Sequence, residues 1–171
     1  MTRNGKPPRT NIRPVVRLLT LTTTLVLAGG CSDSATNPAL SFDQVRWAPS
    51  LGIDPADFTE LPAGVWIRDD TVGTGPAVTD GSQILMHYRG FLPNGSRFDS
   101  SLDEPGRVPL DFNVGSPTLI PGFSLGVRGM RQGGVRTVLI PPFLGYGVRG
   151  QGPIPPNSWL VFELHLVQFL N

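Results

Sequence analysis

Residues 129–167, GMRQGGVRTVLIPPFLGYGVRGQGPIPPNSWLVFELHLV, combine two predicted strands with an unusual loop between them. Val135–Ile140 and Ser158–Phe169 are apolar runs bounded by turn residues, which is typical of β-strands. The loop that joins them is crowded with Gly and Pro and holds one tyrosine, Tyr146. A buried tyrosine needs a partner for its hydroxyl, and a loop stiffened by Gly and Pro is a poor place for simple packing. Tyr146 is therefore the first candidate functional residue.

The same alternation of short apolar runs and turn residues extends back to Leu61. Turn signals such as Asp80-Gly81 punctuate it, and Gln83–Tyr88 is a third clear strand. Regular punctuation of this kind predicts an antiparallel β domain. The last strand has one apolar face, while its other face is mixed and is expected to be more solvated. The apolar face carries Leu160, Phe162, Leu164 and Leu166.

One segment, LIPGFSLGVRGM at residues 119–130, follows a helical period instead. Its large apolar residues recur three or four positions apart, and Pro121 stands where a first helical turn tolerates proline. The residues of this stripe are Ile120, Phe123, Val127 and Met130. The predicted fold class is therefore α+β, a five-stranded antiparallel sheet with one short helix lying across it.

The N-terminal residues have the pattern of an export signal. Five positive charges in residues 1–17 precede an apolar run at residues 18–28, which is too short to span a bilayer. Gly29-Gly30-Cys31 follows and is similar to the lipobox of bacterial lipoproteins, although Ala28 stands where that pattern prefers Leu. The alternative is an ordinary secretory signal that ends near a cysteine. We expect a signal at 1–30, a tether at 31–61 with one short turn around Phe42–Leu51 that packs on the domain, and a folded domain at 62–171. The domain is expected outside the cytoplasm, anchored by lipid on Cys31, with the outer membrane favoured in a two-membrane cell.

Charge and composition limit the possible partners. The full chain has a formal charge of +1, but removing residues 1–30 leaves nine arginines against thirteen acidic residues, a net charge of −4. A mildly acidic domain is a poor candidate for binding nucleic acid, which requires a basic surface. Neither His87 nor His165 has a second ligand at useful spacing, so no metal is predicted.

Two known functional motifs occur in the sequence, but neither has the structural context that it needs. Gly145–Gly150 fits the dinucleotide fingerprint G-x-G-x-x-G, yet the prolines that follow prevent the helix which must begin there. Gly122–Gly126 fits the nucleophile elbow G-x-S-x-G around Ser124, with Glu163 and His165 in the order of a hydrolase triad. That motif needs a preceding strand in a parallel sheet, so a secreted esterase is retained only as a minor alternative.

The segment 129–167, together with HYRGFLPNGSRFDSS at residues 87–101, resembles the FKBP-type peptidyl-prolyl cis-trans isomerases. The resemblance covers about residues 64–169, with its motifs in order and at close to family spacing. It implies a five-stranded sheet wrapped around a short helix, and catalysis of X–Pro rotation without a cofactor. It also implies proline-containing and unfolded exported polypeptides as partners, and macrolides as inhibitors. A proline-binding chaperone module with little turnover is the alternative.

Carried onto this sequence, the resemblance implies a catalytic pocket and three further substrate contacts. The catalytic positions are Tyr88, Phe98, Asp99, Ile120, Phe123, Tyr146 and Phe162. The substrate-binding positions are Leu110, Leu119 and Ile154. Tyr88 and Arg107 are the expected partners of Asp99, which has the alternative role of capping the turn at Ser100–Ser101.

The sequence departs from the family pattern at three places. Phe123 stands where the pocket floor is usually Trp, which implies a wider or shallower base. The loop at residues 102–109 is longer than in compact members, and the loop at 148–153 is one residue shorter. These differences affect substrate preference and macrolide binding rather than the fold.

Overall fold

The structure is a computed structural model that describes residues 39–170. The predicted signal, Cys31 and residues 31–38 of the predicted tether lie outside the described residues. No helix in the described part of the chain is long and apolar enough to cross a membrane. In chain order, the strands and the helix are β1 (Thr59–Glu60), β2 (Trp66–Thr71), β3 (Gln83–Phe91), β4 (Arg97–Ser100), β5 (Leu110–Asn113), α1 (Pro121–Val127), β6 (Val135–Ile140) and β7 (Leu160–Phe169).

All strand pairs are antiparallel and form one sheet in the order β1-β2-β6-β7-β3-β4, with β5 also paired to β3. The long strand β3 pairs with β7 along one edge from Ile84 to Phe91. Along its other edge it pairs first with β5, up to Met86, and then with β4, from Arg89 onward. This edge therefore splits near Tyr88, whose backbone is bonded instead by Ser101.

The α+β class and the antiparallel sheet with one short helix are confirmed, but the sheet has seven strands rather than five. The difference has a physical reason, because the additional strands are short. β1 has two residues and lies in the segment expected to be a tether, while β4 and β5 have four residues each and share β3 as their partner. Strands of this length show too few alternations to be recognised from sequence pattern.

Helix α1 packs on the inner face of the sheet. Its apolar stripe is buried as the period predicts, with Phe123 4% exposed and Val127 0% exposed. Ile120 is the N-cap residue and Pro121 occupies the first turn. A Cβ atom at Gly126 would lie 2.5 Å from a Val138 methyl group, so glycine allows the helix to approach β6 closely.

The outer face of the sheet is partly covered by residues 39–60. This segment forms three short 3₁₀ turns, Phe42–Gln44, Pro49–Leu51 and Pro55–Asp57, before it reaches β1. The Phe42 ring stacks on Trp66 at 4.0 Å between centroids, and the Trp159 indole N–H donates to the Leu40 carbonyl at 2.7 Å. Val161, on the face of β7 predicted to be more solvated, is consequently only 3% exposed.

Candidate active site

A cavity of about 190 Å³ opens where β3 changes partners. Side chains from β3, β4, β5, β7, the start of α1 and the loop after β6 meet there. The lining residues are Tyr88, Phe98, Asp99, Leu110, Thr118, Leu119, Ile120, Phe123, Tyr146, Gln151 and Phe162. Most of them are apolar or aromatic, so the cavity has the composition of a site for a small apolar group.

The base of the cavity is a cluster of aromatic rings. Phe123 and Phe162 are 4% and 5% exposed, and their centroids lie 5.3 Å apart at an interplanar angle of 85°. Phe98 packs edge-on against Phe162 at 5.5 Å, and Tyr88 packs edge-on against Phe123 at 6.2 Å. Edge-to-face pairs fix each ring by its neighbours. The two phenylalanines thus belong both to the hydrophobic core and to the floor of the cavity.

Gly90 on β3 is required for this arrangement. A Cβ atom added there would lie 2.6 Å from two ring atoms of Phe98 and 3.1 Å from the Phe162 ring. The absence of a side chain lets Phe98 lie over the backbone of β3 and form a wall of the cavity.

Asp99 joins three groups at the rim of the cavity. The Tyr88 hydroxyl donates to one carboxylate oxygen at 2.6 Å, and the Arg107 guanidinium lies 3.3 Å from the other. That second oxygen also accepts the backbone N–H of Ser100 at 2.9 Å. The predicted partners and the turn-capping role therefore coexist. Because Tyr88 is committed to Asp99, its hydroxyl proton is not directed into the cavity.

Both tyrosines of the chain line the cavity, and both have perturbed acidity. Burial, and then the hydrogen bond to Asp99, raise the pKa of Tyr88 to about 12. Burial and the negative charge of Asp99 also raise the pKa of Tyr146. Both phenols consequently stay protonated, and able to donate hydrogen bonds, throughout the neutral range.

We expect no phenolate absorbance at pH values below about 10, the ordinary tyrosine pKa. Replacing Asp99 by Asn should move the titration to lower pH, because the negative charge beside the phenols is lost and the amide oxygen that remains is a weaker, neutral acceptor. Folding stability should fall as pH rises above about 10, since tyrosines of the unfolded chain release protons there while Tyr88 retains its proton up to about 12. Ultraviolet titration of the wild type and the Asp99→Asn variant measures phenolate formation by Tyr88 and Tyr146 directly, because the chain has no other tyrosine. Phenolate in the folded wild type at pH 9 would contradict the assignment.

Two donors in the cavity remain without a protein acceptor among residues 39–170. The Tyr146 hydroxyl makes no hydrogen bond there, although Tyr146 is half-buried. The backbone N–H of Ile120 likewise has no acceptor, because it precedes the first turn of α1. A ligand carbonyl is the natural acceptor for both.

The structure brings nine of the ten predicted pocket residues to the cavity wall. The exception is Ile154, which is 5% exposed and packs in the core. A tight turn explains the correction, since the Gln151 and Ile154 backbones bond to each other at 2.9 Å and place the Gln151 side chain at the wall instead. Sequence reasoning also missed Thr118 and Gly90. The clearest signal was Gly90, an isolated glycine two residues beyond the predicted strand Gln83–Tyr88 and inside the observed β3.

The residues of the esterase alternative do not meet in the structure. Ser124 is 5% exposed, and its hydroxyl oxygen accepts a hydrogen bond from the Gly115 N–H at 3.3 Å. His165 lies on β7, where its Nε2 is 2.6 Å from Glu163. These two side chains alternate with buried Leu164 along the strand, so they point to the face opposite the helix that carries Ser124.

Comparison with known proteins agrees with this geometry. The profile of the FKBP-type peptidyl-prolyl cis-trans isomerases matches residues 75–167. A protein named FK506-binding protein from Neisseria meningitidis serogroup A is 44% identical over 103 residues, covering 60% of this chain and 93% of that protein. The crystal structure of AtFKBP13 superposes with a TM-score of 0.60 at 39% identity, covering 66% of this chain and 98% of the other. That of FkpA from Escherichia coli gives 0.61 at 30% identity, covering 71% and 55%.

An antiparallel sheet packed on one short helix, with an aromatic cavity where β3 changes partners, is the arrangement expected of an isomerase that acts on X–Pro bonds. The chain belongs to the FKBP-type peptidyl-prolyl cis-trans isomerases. Its reaction is the rotation of X–Pro peptide bonds.

Proposed function

We propose that the chain accelerates X–Pro rotation in exported polypeptides by holding the proline in the aromatic cavity, without a covalent step. The planar amide resists rotation by about 18–20 kcal/mol because resonance gives its C–N bond partial double-bond character. No bond to carbon is broken during rotation, so the chemistry needs neither a nucleophile nor a base. The observation that carries the proposal is a cavity with an apolar floor and two unpaired donors at its edge.

The apolar walls favour the transition state over the ground state. A twisted amide has lost resonance and much of its charge separation, so it tolerates a dry surrounding better than the planar amide does. Phe98, Phe123 and Phe162 supply that surrounding. A barrier lowered by about 7 kcal/mol corresponds to roughly a 10⁵-fold acceleration.

The two free donors would fix the peptide on either side of the rotating bond. The Ile120 N–H would donate to one substrate carbonyl, and the Tyr146 hydroxyl would donate to another. Asp99 would act as a positioning residue, because its contacts are to Tyr88 and Arg107. It would hold the Tyr88 ring against Phe123 and neutralise the guanidinium at the rim.

Replacing Tyr146 by Phe should lower kcat/KM on X–Pro peptides by about fivefold, since one neutral hydrogen bond contributes about 0.5–1.5 kcal/mol. The assay follows cis-to-trans turnover of short peptides and, in parallel, the proline-limited refolding of an unfolded protein. Phe143→Tyr is a useful control, because Phe143 is 71% exposed and does not line the cavity. If Tyr146→Phe turned over at the wild-type rate, the hydroxyl would have no role in holding substrate.

The name of the Neisseria meningitidis relative, FK506-binding protein, also supports a proposal for inhibition. We expect a macrolide of the FK506 type to compete with X–Pro peptides, because it would occupy the same cavity. Phe123 in place of the usual Trp would make the floor wider or shallower, which should weaken that competition relative to family members with Trp.

We further propose that the protein works in the cell envelope, held by lipid on Cys31. The charged N-terminal stretch, the short apolar run and the small residues before Cys31 support this. The full chain expressed in a bacterium should fractionate with membranes, and Cys31→Ser should release it in soluble form outside the cytoplasm. Wild-type protein found soluble in the cytoplasm would contradict both export and anchoring.

A further inference from the structure

A second, larger hollow of about 500 Å³ lies outside the cavity described above. Three parts of the chain form it: residues 40–46 of the N-terminal segment, the turn between β3 and β4, and the segment that leads into β7. We call it the extension groove. Its apolar lining includes Leu40, Val45, Leu92, Pro155, Pro156 and Trp159.

The extension groove is held open by specific contacts. Trp159 donates its indole N–H to the Leu40 carbonyl at 2.7 Å, and the Ala48 N–H donates to the Pro93 carbonyl at 2.8 Å. These bonds tie the N-terminal segment to both of the other walls. The Leu40 side chain is nevertheless 48% exposed, so part of this apolar surface is left uncovered.

The two hollows are close to each other, because the same two chain segments contribute to both, although no residue lines both. Gln151 lines the active-site cavity and Pro155 lines the extension groove. A chain four residues long spans at most about 14 Å, and the Gln151–Ile154 turn shortens this distance. The β3–β4 hairpin likewise places Phe98 at the cavity and Leu92 at the groove.

We propose that the extension groove binds a second part of the same unfolded polypeptide whose proline occupies the cavity. It would take a large apolar side chain about five residues from that proline, the distance that an extended chain needs to pass the Gln151–Pro155 segment. The inference rests on the proposed function, since it assumes that a substrate proline lies between Phe98 and Tyr146. It gives the N-terminal segment, which lies outside the region matched by the family profile, a role in selecting unfolded clients.

The test compares three proline peptides with the full chain as enzyme. The first is a short peptide that extends no further than the cavity. The other two are longer and identical to each other except that the residue about five positions from the proline, on each side, is Leu in one and Ser in the other. We expect the Leu peptide to have a KM about tenfold lower than the Ser peptide at similar kcat, because burial in the groove adds binding that is equal in ground and transition states.

A matched pair of variants locates the effect. Leu40→Glu should remove the difference between the two long peptides while leaving the short peptide unaffected. Leu170→Glu changes the same side chain at 40% exposure, outside the groove, and should keep the difference.

Equal KM values for the two long peptides in the wild type would overturn the inference. That result is expected if the chain's own residues 32–38, or a second copy, occupy the groove instead. An equal loss in Leu40→Glu and Leu170→Glu would also overturn it. If none of the three peptides were turned over, the proposed function would fail together with the inference. Failure of the inference alone can be recognised, because the short peptide does not use the groove and would still be turned over.

Discussion

Replacing Phe98 by Gln should lower kcat/KM for X–Pro turnover by about 100-fold, whereas replacing it by Met should cost less than about tenfold. The two replacements are similar in length and volume and differ mainly in polarity. Phe98 forms a wall of the cavity and packs edge-on against Phe162 at 5.5 Å. A side-chain amide at this place would solvate the planar ground state and admit water. A polar group in an apolar setting changes the free energy by about 1–3 kcal/mol, which sets the expected ratio.

The measurement is steady-state turnover of one X–Pro peptide by the wild type and both variants. Urea unfolding of each variant establishes that equal amounts of folded enzyme are compared. The Met variant controls for loss of the ring, because it keeps the wall apolar. Equal losses in the two variants would mean that the shape of the ring, and not the dryness of the cavity, lowers the barrier.

The parts of the fold that could be predicted are those with long periodic signals. β6 and β7 are six and ten residues long and rich in apolar side chains, and α1 has its apolar stripe at helical spacing. β4 and β5 were not resolved as separate strands, because each has four residues and gains its stability from pairing with β3. Pairing between distant segments leaves little trace in local sequence.

The candidate site was predictable where a side chain's type matters and unpredictable where backbone geometry matters. The resemblance placed Tyr88, Asp99 and Arg107 together, and the structure has all three in contact. It also implied Ile154, whose side chain packs in the core, while Gln151 of the same turn lines the cavity. The hydrogen bonds that close that turn are between backbone atoms, and sequence pattern does not specify them.

The N-terminal segment shows a further limit. Its scattered apolar residues have no sustained period, so the expectation for residues 31–61 was a tether with one short packed turn around Phe42–Leu51. The structure places Phe42 and Trp47 near Trp159 on the outer face, at 5.8 Å and 6.0 Å between ring centroids. A few aromatic residues can order an irregular segment when a sheet face is available for packing, because each buries a large area.

Replacing Arg136 by Met should lower the free energy of unfolding by about 3 kcal/mol. Arg136 is 4% exposed and lies opposite Asp69 on the neighbouring strand, with two hydrogen bonds to that carboxylate at 2.7 and 3.1 Å. Its guanidinium also donates to the carbonyl groups of Gly126 and Arg128 at 2.9 and 2.7 Å. Methionine fills the space but leaves these carbonyl groups without a donor. The loss lies at the lower end for a broken buried pair, because Asp69 is 41% exposed and can be hydrated.

Arg128→Met is the matched control, since it removes a guanidinium whose ion pair to Asp80 at 2.7 Å is on the surface. Arg128 is 43% exposed in its side chain, and exposed pairs contribute about 0–1 kcal/mol. Urea unfolding of both variants, at equal salt, gives the comparison. The carbonyl groups of Gly126 and Arg128 lie at the C-terminal end of α1, whose first turn carries Phe123. If Arg136→Met unfolded within 1 kcal/mol of the wild type, the buried guanidinium would not be what fastens this helix to the sheet, and the cavity floor would depend on apolar packing alone.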